Sequence, residues 1–131
     1  MNSTMMASSA LLAAFALTGP GSARDTAIPE GTPVGAPQNC ITRHRIAQSL
    51  VRSDSMIDFI MIDRKVYRVT LPQPCGDLGF QDRLGYSVSI DQLCASDIIT
   101  VLYLNPGGTG ARCALAPFQQ ITLPPRVKVR R

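Results

Sequence analysis

The sequence predicts an all-β protein: a small antiparallel barrel or rolled sheet of five to six strands, held by two disulfides. Three observations predict it. Apolar and polar side chains alternate with period two in short runs, as Tyr67, Val69 and Leu71 do against Arg68 and Thr70. Clusters rich in Gly, Pro and Asp separate these runs at hairpin distances. Four cysteines in 131 residues stand 35, 19 and 19 apart, without the C-x₂-C pairs that a zinc site favours. The length allows one domain, and a hydrophobic fraction of 45% excludes a wholly disordered chain.

The first element is not part of that fold. Met5 to Leu17 is a 13-residue apolar stretch, too short to span a bilayer, followed by Thr18-Gly19-Pro20-Gly21. Small residues in Gly21-Ser22-Ala23 then offer a cleavage site, so residues 1–23 read as a signal peptide. Its one missing element is a Lys or Arg within Met1 to Thr4. Export to the periplasm or the extracellular space makes an even cysteine count a disulfide framework. Residues 24–38 carry Pro29, Pro33 and Pro37 with Gly31 and Gly35 between them, the composition of a flexible, extended linker. The β domain is then 39–123, and 124–131 is a basic tail opened by Pro124-Pro125.

Within 39–123 the strand candidates follow in order. Cys40, Thr42, His44 and Ile46 share one side of a first strand. Met56 to Ile62 (MIDFIMI) and Ile98 to Leu104 (IITVLYL) are apolar on both faces, as central strands are. Tyr67 to Leu71 and Tyr86 to Ile90 alternate as half-buried strands. Asp63-Arg64-Lys65 fits a tight turn, Asn105 to Gly110 a longer hairpin loop, and Asp91 to Ala95 one helical turn. Cys113 to Ile121 is interrupted by Pro117, which marks an edge or bulged strand.

Four cysteines permit three pairings. In an up-and-down meander Cys40 and Cys75 fall at opposite ends of the sheet, and so do Cys94 and Cys113. The expected bonds are therefore Cys75–Cys94 and Cys40–Cys113, the second tying the first strand to the last. Phe59, Phe80, Phe118, Tyr67, Tyr86 and Tyr103 are the only aromatics of this unit, so its core is small enough to need such staples.

The series Cys40-Ile41, Tyr67-Arg68-Val69-Thr70-Leu71-Pro72, Cys75-Gly76-Asp77-Leu78-Gly79-Phe80, Leu93-Cys94-Ala95-Ser96-Asp97-Ile98-Ile99 and Cys113 to Phe118 resembles a domain-of-unknown-function family of small exported bacterial proteins. The likeness runs from about Asn39 to Gln120. Ser96 stands where such families usually have Gly. The resemblance implies export and cysteine staples, and it transfers no catalytic residue.

The residues themselves point away from chemistry. His44, the only histidine, lies between Arg43 and Arg45 with no nucleophile motif to serve. Asp54, Asp58, Asp63, Asp77, Asp82, Asp91 and Asp97 fall on turns and strand ends, where Asp bonds to local backbone. Asp97 is expected to accept backbone N–H bonds near Cys94. Gly107-Gly108-Thr109-Gly110 lacks the helix and the Lys-Ser/Thr end of a phosphate loop. With a net charge of +4, the tail side chains Arg126, Lys128, Arg130 and Arg131 suit weak contact with an anionic surface. No aromatics interleave them, which argues against nucleic acid. The expectation is a non-enzymatic envelope module without cofactor or metal, binding a protein or glycan. Its rival is a small inhibitor of an envelope hydrolase, presenting Asn105 to Gly110 or Asp77 to Leu84.

Overall fold

The computed structural model describes residues 27–125. The signal-peptide reading of 1–23 and the tail side chains Arg126, Lys128, Arg130 and Arg131 lie outside the described residues. Among the described residues ten strands make three open antiparallel sheets around one core. In chain order the strands are β1 Thr32–Pro33, β2 Cys40–Thr42, β3 Ile46–Ser53, β4 Met56–Met61 and β5 Val66–Thr70. They continue with β6 Leu84–Tyr86, β7 Gln92–Cys94, β8 Ile98–Tyr103, β9 Gly108–Ala114 and β10 Gln119–Thr122. A 3-10 turn covers Arg43–Arg45, and α1 is a single helical turn at Leu78–Gln81.

The largest sheet has the order β1-β10-β5-β4-β3, the second pairs β2 with β7, and the third runs β6-β8-β9. The all-β class and the two disulfides stand as expected. The barrel does not: the sheets are open, and the strands are more numerous and shorter than five or six. Strand β4 is central, paired on both sides, as its apolar sequence requires. Ile57, Phe59 and Met61 point from it into the core. There Phe59 meets Phe118 edge-on, with ring centroids 5.7 Å apart. Ile41 and Leu93 of the small sheet, and Ile99 and Val101 of the third, complete the same core.

Three of the expected elements are redrawn. The first breaks at Arg43–Arg45, so Cys40–Thr42 joins β7, whereas Ile46–Ser53 joins β4. Tyr86 to Ile90 is no strand beyond Tyr86, and Ile90 is exposed. The helical turn expected at Asp91 to Ala95 is instead strand β7, entered after an irregular stretch.

The linker reading is also corrected. Thr32 and Pro33 pair with Thr122 and Ile121. The Val34 N–H donates to Gln120 at 2.9 Å, and Gln38 and Phe118 exchange two bonds of 2.8 Å. The prolines fit because this segment is an edge, where a missing N–H faces solvent. Gly31 fits because a Cβ there would stand 2.6 Å from Ile121 Cδ1. The first strand is thus tied to the last by backbone hydrogen bonds.

The cysteine pairing is corrected with it. The bonds are Cys40–Cys94 and Cys75–Cys113, not Cys75–Cys94 and Cys40–Cys113. The break at Arg43–Arg45 is the cause: it folds β2 onto β7, where Cys40 and Cys94 are direct cross-strand partners.

Candidate functional site

The segment Cys75 to Arg83 joins the largest sheet to the third and is braced by a disulfide and several hydrogen bonds. The Cys75–Cys113 bond anchors its start to β9. The Cys75 N–H donates to the Asp54 carbonyl at 2.7 Å, and the Gly79 N–H donates to Asp54 Oδ1 at 2.7 Å. A Cβ at Gly79 would lie 3.0 Å from that oxygen and 3.2 Å from the Asp54 nitrogen, so the close approach requires glycine. Asp77, at φ 66°, starts the turn and accepts a 2.7 Å bond from the Tyr103 hydroxyl on β8. That bond holds the Tyr103 phenol above the usual tyrosine range, because ionisation would set two negative charges side by side.

This bracing fixes two apolar side chains in opposite directions. Leu78 is fully buried in the core, whereas Phe80 is 87% exposed. Phe80 therefore belongs to the surface rather than to the aromatic core that its sequence suggested. Acidic Asp77 and Asp82 flank it. Leu104, which follows Tyr103, is also exposed.

The other candidates separate into structural roles. His44 and Asp91 meet through His44 Nδ1 and Asp91 Oδ2, and the His44 N–H donates to Asp91 Oδ1 at 3.1 Å. Arg43 Nε stands 3.4 Å from the same carboxylate. The His44 hydrogen bond is the largest influence holding the Asp91 carboxyl below the usual range, with Arg43 adding a smaller pull. This pair fastens the 3-10 turn to the start of β7. Asp97 accepts the Cys94 N–H at 2.7 Å, the backbone role expected of it. Asp63 caps the β4–β5 turn through the Lys65 N–H. Asn105 to Gly110 does form the β8–β9 hairpin connection and the start of β9, with Gly107 and Gly108 at positive φ.

Asp58 departs from the reading of scattered turn carboxylates. It lies mid-strand on the face of β4 opposite Phe59 and is fully buried. Arg68, its direct partner on β5, donates from Nε at 2.8 Å and from Nη2 at 2.9 Å. Arg52 Nε donates to Asp58 Oδ2 at 2.8 Å. Arg68 Nη2 also reaches the Pro29 carbonyl at 2.8 Å, so the clamp holds down the N-terminal segment. Asp58 and Arg68 are opposite charges on neighbouring strands, but pairing them needs the strand register.

No family model, curated protein or solved structure matches this chain.

Proposed function

We propose that the chain is an exported, non-enzymatic small β protein that binds a partner in the cell envelope, with Cys75 to Arg83 as its contact segment. One observation supports this most: Phe80 is held out at 87% exposure by a segment that a disulfide and several hydrogen bonds keep rigid. A fixed aromatic loses little conformational entropy when it docks, which is the economy of an interface anchor. The two disulfides suit an oxidising compartment, as does the leader read in residues 1–23. The likeness to a family of small exported bacterial proteins agrees with both. The partner is an envelope protein or glycan, and the basic tail adds weak contact with anionic surfaces.

The test is capture from envelope extract with the oxidised mature chain, comparing native protein with Phe80→Ala. The substitution should leave the melting temperature unchanged and abolish one specific partner. Equal capture by both proteins refutes the assignment. The same protruding side chain favours a second reading, inhibition of an envelope hydrolase. Under that reading a stoichiometric amount of the native chain, but not of Phe80→Ala, lowers the captured partner's hydrolytic rate.

A further inference from the structure

The Asp58 clamp carries two guanidinium groups on one carboxylate, so it holds one positive charge in excess. Arg68 spends Nε and Nη2 on Asp58 and Pro29. Every buried side-chain nitrogen and oxygen among the described residues is hydrogen-bonded, and no bond uses Arg68 Nη1. The Arg68 side chain stays 13% exposed. Arg68 opens onto a cleft of about 300 Å³ between the N-terminal segment and the β10 approach, with Pro33, Pro117 and Ile121 as apolar walls and Thr70 at its side. Among the described residues no acidic side chain lines it. Glu30, the nearest acid along the chain, lines a different cleft with Thr32 and Pro124. Arg52 emerges on the other side of the clamp, but Asp82 shares that cleft and opposes an anion there.

We infer that the Arg68 cleft is a binding site for a carboxylate carried on a compact apolar body. Asp58 pre-orients the guanidinium, so the ligand does not bear the entropy of ordering it. The remaining Nη1 and the Thr70 hydroxyl supply donors, and the proline and isoleucine walls take the apolar part. A free small acid and the C-terminal residue of a peptide share this chemistry.

The experiment is an NMR titration of the full oxidised chain with benzoate, benzamide and N-acetylleucine, read at backbone amides. Benzoate should give saturable shifts at Thr70, Ala116 and Ile121, and benzamide should bind about tenfold or more weakly. N-acetylleucine binding above benzoate assigns the site to peptide ends, and the reverse order assigns it to free acids. Thr70→Phe changes an exposed strand position and leaves the clamp intact, and it should weaken benzoate about tenfold by filling the cleft. Equal binding of benzoate and benzamide, shifts confined to other surfaces, or unchanged affinity in a folded Thr70→Phe protein each overturn the inference.

Discussion

Cys40 and Cys94 are direct cross-strand partners, with Cα atoms 4.0 Å apart, and their bond staples the two-stranded β2–β7 sheet at the surface. Both residues are partly exposed, whereas Cys75 in the second bond is fully buried. A thiolate thus meets two partly exposed residues at the first bond and only one, Cys113, at the second. Graded dithiol under native conditions, followed by alkylation and peptide mapping, should label Cys40 and Cys94 before Cys75 and Cys113. Simultaneous labelling would mean that reduction requires global opening.

Removing the Asp58 carboxylate leaves two largely buried guanidinium groups facing each other. Asp58→Asn should cost about 3–5 kcal/mol of folding stability, read from the urea midpoint. Hydrogen exchange should also rise at Thr32 and Val34, because Arg68 would lose the fixed orientation with which it holds Pro29. A variant as stable as the native chain would show that the clamp has no structural role.

Ser96 occupies the left-handed region at φ 75° while exposed to solvent, a conformation that costs a Cβ-bearing residue about 1 kcal/mol. Ser96→Gly should raise stability by about that amount, measured by thermal melting.

Tyr103 and Gly110 are coupled. A Cβ at Gly110 would meet Tyr103 Cε2 at 2.3 Å, and the ring can yield only by swinging off Asp77. Gly110→Ala should therefore return the phenol toward its ordinary titration, followed by absorbance at alkaline pH. In the native chain the folded-state value lies above the unfolded one. The Tyr103–Asp77 contribution is thus complete below the ordinary tyrosine range and lost as pH rises through the raised value.

The Asp91 carboxyl shifts the other way, lowered in the folded chain by His44 and Arg43. Its contribution is present above the ordinary carboxylate range and fades as pH falls through the depressed value. The stability gap between the native chain and Asp91→Asn should shrink below about pH 4, and added salt should shrink it at neutral pH. A gap that widens on acidification would contradict the assignment.

Alternation at Tyr67 to Leu71 was enough to locate β5, and the runs apolar on both faces at Met56 to Ile62 and Ile98 to Leu104 located β4 and β8, because burial is reported directly in both patterns. Alternation failed at Arg43–Arg45, where no Gly or Pro announces the break and the backbone turns within an apparently regular strand. That single turn decides the disulfide pairing, so the pairing was out of reach without it. The docked prolines at 29–38 were hidden for a related reason: composition gives chain stiffness, not the presence of an open neighbour such as β10. Phe80 is the clearest limit. Only the Asp54 and Asp77 contacts, 25 and 26 residues away from their partners in sequence, turn it outward.

The pairing of Thr32–Pro33 with β10 bears on where a recombinant product is allowed to start. Trimming to Asn39, the boundary that the Pro/Gly composition of residues 24–38 suggests, strips a row of amides and carbonyls bare along β10 and uncovers Ile121. Such a truncated product carries a sticky flank suited to stacking against its own kind, so clumping in the tube would report a cropped domain rather than a native habit.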